Sequence, residues 1–181
     1  MKEIYFGIDE SGSANPRFRY GRPFVIVLAH SFNSNDIVRK VTEKRRYFDR
    51  ELVETPFIFC AAAGEVNYNN YLFMLRELLS AGYRRFIHNG ERVSVFLDHL
   101  PFSIRKRMSP RLQQKLELRQ GDELTFGSDA TCPIINRADQ LANIVACYRS
   151  TNGKYRQRTE TWLKLCPKLE DILYNSEINI R

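Results

Sequence analysis

Residues 4–12 read IYFGIDESG, and the alternation within them decides the fold. Ile4, Phe6 and Ile8 fall on one side of an extended chain and Tyr5, Gly7 and Asp9 on the other, which is the period of a β-strand. The strand is expected to end on two adjacent carboxylates, Asp9 and Glu10, and to turn at once through Ser11 and Gly12 into the polar segment DESGSANP. A surface turn accounts for the serine and the glycine. It does not account for carboxylates set directly against an apolar run.

Downstream, residues 22–32 (RPFVIVLAHSF) are almost continuously apolar and β-branched, which predicts a second strand buried on both faces and antiparallel to the first. Residues 33–52 predict an amphipathic helix with a basic outer side, 57–63 (FIFCAAA) a third strand, and 67–85 a helix through Tyr71, Leu75, Leu78 and Leu79. Small residues at 61–64 suggest a close backbone approach where the third strand ends. Residues 92–98 (RVSVFLD) alternate again, with Val93, Val95 and Leu97 on one face and Ser94, Phe96 and Asp98 on the other. A basic helical segment over 103–119, a short strand over 122–127 and helices over 133–150 and 159–174 complete the chain. Strands alternating with helices imply a mixed sheet with helices on its faces.

The chain has 181 residues, enough for one domain with a substantial core. Lys and Arg number 28 against 21 Asp and Glu, a net charge of +7, which favours a polyanionic partner. Cys60, Cys132, Cys147 and Cys166 form no CxxC pair and read as free thiols of a reducing compartment. MKEIYFGIDE has the character of neither a signal peptide nor a membrane span, so a cytoplasmic protein without membrane contact is expected. A P-loop is absent, as is the phosphatase signature of two Asp separated by one residue.

Asp9 and Asp98 share a local design, each ending an apolar strand on the face that also carries a small residue, Gly7 or Ser94. Neighbouring strands would bring both to one sheet edge, where ligands bind in open α/β sheets. A third acid comes from the helix NRADQLANIVACYRS. At ~100° per residue, Asp139 falls at the margin of the apolar face, beside Ala142 and Ala146, whose small size lets the helix approach the sheet. Three carboxylates converging from separate elements repel one another unless a cation lies between them, and all-oxygen ligands suit Mg²⁺ or Mn²⁺. Glu65, Glu10 and Asp129 compete as a fourth acid. Ser11 lacks a His or Lys placed to activate it, and His99 beside Asp98 reads as structural or solvated. Arg17, Arg19 and Arg22 follow the DESG turn closely enough to contact phosphates near the acids.

IDESGS after a first strand, VFLDH at the end of a later one and INRADQLANIVA on a late helix resemble a widespread bacterial and phage family with an N-terminal D-E-S-G motif. The resemblance implies a ribonuclease H-like fold and metal-dependent nuclease activity, with Asp9, Asp98 and Asp139 as the acids. Asn136 stands where that family usually has Gln. The expectation is therefore a single ribonuclease H-like α/β domain over 1–181, a mixed β-sheet flanked by helices, with its core at about 2–150 and a helical extension at 151–181. It would hydrolyse phosphodiester bonds of DNA or RNA with Mg²⁺ or Mn²⁺. The alternative is a catalytically silent nucleic-acid-binding or regulatory protein that retains the fold.

Overall fold

The computed structural model describes residues 2–13, 17, 21–35, 50–98 and 112–180. Five strands, β1 (Glu3–Ser11), β2 (Phe24–Ser31), β3 (Phe57–Ala62), β4 (Arg92–Asp98) and β5 (Glu123–Gly127), form one sheet in the order β3-β2-β1-β4-β5. Strand β2 runs antiparallel to β1 and β3, while β4 pairs parallel with β1 and β5. The C-terminal ends of β1, β3, β4 and β5 therefore share one edge. This mixed sheet with helices on both faces is the expected α/β arrangement.

Alternation in the strands sorts two cores. Ile4, Phe6 and Ile8, with Phe24, Ile26 and Leu28 of β2 and Val93, Val95 and Leu97 of β4, pack under helix α2 (Tyr68–Phe86). Tyr5, Val25, Val27 and Ala29 pack on the opposite face under helix α4 (Pro133–Tyr148). The two-sided burial predicted for β2 is thus present, both sets of its side chains being withdrawn from water.

Helices α1 (Arg50–Glu54) and α3 (Leu112–Lys115) are short. The helices expected over 33–52 and 103–119 lie largely outside the described residues. The helix expected over 159–174 is instead two, α5 (Gly153–Leu165) and α6 (Leu169–Ser176). Pro167 cannot continue an α-helix, and α5 starts earlier because the Asn152 side chain accepts from the Lys154 N–H at 3.0 Å. Leu169 and Leu173 join the core beneath α4. Beyond α6 the Ile178 N–H donates to the Phe59 carbonyl at 2.8 Å, adding a short parallel bridge along the outer edge of β3. Among the described residues no helix is long and apolar enough to cross a membrane, and all four cysteines are free and buried.

Candidate functional site

Strand β1 does not turn at Glu10 as expected but runs on through Ser11, because Asp9, Glu10 and Ser11 continue the antiparallel pairing with Val27, Ile26 and Val25. The turn starts at Gly12, whose φ of 98° lies in the left-handed region open to glycine. The extension fixes which way each acid points. Asp9 keeps the parity of Tyr5 and Gly7 and lies on the α4 face, whereas Glu10 keeps the parity of Ile8 and lies on the α2 face.

Asp98 reaches the same place by the same rule. Ile8 pairs with Leu97 across β1 and β4, both in the α2-side core, so Asp9 and Asp98, one residue on, stand side by side on the α4 face of adjacent strands. Helix α4 brings the third acid. It can approach β1 closely because position 7 is glycine: a Cβ there would fall on the Ile134 carbonyl and within 2.8 Å of Ile134 Cγ1. The buried residues Ala138, Leu141, Ala142 and Val145 bind α4 to the sheet, leaving Asp139 half-buried at the margin.

Asp9 shows the result. It is 5% exposed, and burial, with the negative charges of Glu10, Asp98 and Asp139, pushes its carboxyl up to about 9 despite a 2.7 Å hydrogen bond donated to Oδ1 by the Glu10 N–H. Glu10 is raised to about 7, chiefly by burial and also by Asp98, and is opposed by the Tyr71 hydroxyl, which donates to its Oε2 at 3.1 Å. Tyr71 is fully buried, so its phenol needs an acceptor, and Glu10 supplies it.

Glu65 is exposed in the loop after β3, a strand separated from β1 by β2. Of the rivals for fourth acid, Glu10 is the one against Asp9. Asp129, half-buried, follows β5 at the same edge and accepts from the Ser128 hydroxyl at 3.4 Å. At Gly64, the last of the small residues at 61–64, a Cβ would meet nothing within 4 Å, so that position makes no close approach. Among the described residues no three His, Cys, Asp or Glu side chains are grouped tightly enough to hold a metal ion.

Arg22 lies against the end of β1. One Nη2 donates both to Ser11 Oγ at 2.8 Å and to Asn143 Oδ1 at 2.7 Å, and the guanidinium lies 5.1 Å from the centre of the Tyr155 ring. It thereby ties the end of β1 to α4, one helical turn beyond Asp139. Arg17 is exposed; Arg19 and His99 lie outside the described residues. Sequence reasoning missed Tyr71, Asn143 and Tyr155 as parts of the site. Tyr71 alone had a visible signal, a phenol on an otherwise Leu-rich and Met-rich helix face.

No family model and no curated protein matches the chain. Among solved structures it is similar to the ribonuclease H2 from Pyrococcus horikoshii OT3, at a TM-score of 0.47 and 14% identity, covering 93% of this chain and 89% of that one.

Proposed function

We propose that this chain is a divalent-cation-dependent nuclease of the D-E-S-G family, which hydrolyses phosphodiester bonds of DNA or RNA at the edge formed by Asp9, Glu10, Asp98 and Asp139. The observation that carries the reading is the burial of Asp9 among three other carboxylates, which raises it to about 9. A fold gains nothing from such a cluster by itself, and perturbed carboxyls concentrate at functional sites.

The donors are of the type that Mg²⁺ or Mn²⁺ takes, all carboxylate oxygen whose mutual repulsion a hard cation removes, and they would have to draw closer to hold one, since among the described residues no such group is tight enough. Asp9, Asp98 and Asp139 would hold the ion, with Glu10 as the fourth acid steadied by Tyr71. When bound, such an ion supplies charge neutralisation and Lewis acidity toward a phosphoryl oxygen. Arg22 binds the phosphate beside the break: among the described residues nothing accepts from its Nη1, while Ser11 and Asn143 fix the plane of its guanidinium.

The experiment is cleavage of end-labelled DNA, RNA and hybrid duplexes with Mn²⁺ or Mg²⁺ against EDTA. Wild-type protein should cut only with the ion, and Asp9→Asn should lose on the order of 10³-fold, about 4 kcal/mol of barrier, without unfolding. Equal cutting by the variant overturns the reading. A second reading, a silent nucleic-acid-binding or regulatory protein, is favoured by the absence of a tight three-ligand group among the described residues. It predicts salt-sensitive binding with neither product nor Mn²⁺ uptake.

A further inference from the structure

Helix α5 is fastened to the loop that leads into β2. Thr151 N–H, Thr151 Oγ1 and Ser150 Oγ donate to the Gly21 carbonyl at 2.9, 3.3 and 3.1 Å, and a Cβ on Gly21 would come within 2.8 Å of Thr151 Oγ1. The clamp delivers the first turn of α5 to Arg22, whose guanidinium faces the Tyr155 ring. Lys154 and Arg158 are separated by four positions, and Tyr155 and Arg158 by three, so the three side chains share one helix face. Lys154 and Arg158 are exposed, and neither side chain has an ion pair or hydrogen bond among the described residues. The positive charges of Arg22 and Arg158 both act on the Cys147 thiol, so both lie near the C-terminal end of α4. Three cations, one of them rigidly held, thus run from the end of β1 outward along α5.

We infer that Arg22, Lys154 and Arg158 form a track for successive phosphates of a single nucleic-acid strand leading away from the carboxylate edge. The inference rests on the nucleic-acid reading above and adds the path the strand takes. Four residues, about 6 Å of helix rise, separate the two α5 cations, which lets them reach neighbouring phosphates. Both printed hydrogen bonds of Arg22 come from Nη2, so among the described residues its Nη1 is left as the donor that meets an incoming phosphate. Contacts of this kind position the strand and carry no base preference.

The test is fluorescence anisotropy in EDTA with a labelled single strand of about 20 nucleotides, DNA or RNA, over a range of KCl, which reads binding without cleavage. The Lys154→Glu/Arg158→Glu variant should bind about 10- to 100-fold more weakly at low salt. The Lys154→Gln/Arg158→Gln variant should lower the slope of log affinity against log salt by about 1.5. Lys164→Glu, at the far end of α5, should change affinity by no more than about twofold, and thermal unfolding of all three should match wild type. Unchanged affinity and slope in both double variants overturns the track. So does displacement of the probe by polyglutamate as readily as by unlabelled strand, which would make the partner an acidic protein. If the α5 variants bind normally while Asp9→Asn abolishes cleavage, the track fails and the nuclease reading stands. Wild-type protein with no affinity for either strand overturns both.

Discussion

Gly7 lies directly beneath Ile134: the space a Cβ would fill at position 7 is taken by the Ile134 carbonyl and Cγ1. This approach lays the first turn of α4 on β1 and sets where Asp139 stands relative to Asp9. Gly7→Ala should therefore cost about 1–3 kcal/mol in urea unfolding, because the obstacle is helix backbone and cannot swing aside. It should also depress cleavage beyond what the lost stability explains. Gly64→Ala, with open space around it, should change stability by less than about 0.5 kcal/mol.

Asp9 and Glu10, raised to about 9 and about 7, make the metal-free protein sensitive to base. Between the ordinary carboxyl range and these values the folded chain holds protons the unfolded chain has released. Stability is therefore full below the ordinary carboxyl range and falls as pH rises from there through about 7 for Glu10 and about 9 for Asp9. Melting in EDTA should show this decline. Asp9→Asn should melt higher than wild type at pH 8 and above and flatten the profile, by about 2–4 °C for each kcal/mol gained. Mn²⁺ should raise the melting temperature of wild type and leave that of the variant unchanged.

Tyr71→Phe should separate support of Glu10 from chemistry. The variant keeps the ring packed against Phe24 and removes the donor to Glu10. Loss of this hydrogen bond should cost about 1–2 kcal/mol where Glu10 is ionised and less where it is protonated. Urea unfolding on either side of about pH 7 measures the difference. The pH profile of cleavage should shift toward base as the unsupported carboxyl holds its proton longer.

Arg22→Lys retains the charge and loses the fork. A lysine ammonium cannot hold Ser11, Asn143 and a phosphate in one plane. Affinity for a nucleic-acid strand should fall by about tenfold in anisotropy, close to the loss in Arg22→Ala, although the net charge of the lysine variant is unaltered.

Much of the architecture was legible because it is written in local period. The alternations at 4–9 and 92–98 place Asp9 and Asp98 each on a definite strand face, the apolar run at 22–32 marks a strand buried on both faces, and the helical wheel sets Asp139 at its margin. What was not legible depends on partners far along the chain. The strand continues through Ser11 because Val25 is opposite it. Glu10 outweighs Glu65 because Tyr71, 61 residues away, holds it. Arg22 is anchored by Asn143, 121 residues on. The division of the last helix was within local reach, since Pro167 marks it, yet helical periodicity on both sides masked the break.

The opposite facing of Asp9 and Glu10 also bears on how the chain finds its fold. If β1 slid by one residue against β2, the two acids would exchange sides. Asp9 would be driven into the layer of Tyr71 and Leu75, and a side chain would replace Gly7 beneath the Ile134 carbonyl. Either error is prohibitive without the other, so misaligned hairpins should be rejected as α2 and α4 dock on the sheet. The same DESG segment that carries the chemistry thus proofreads the assembly of the sheet around it.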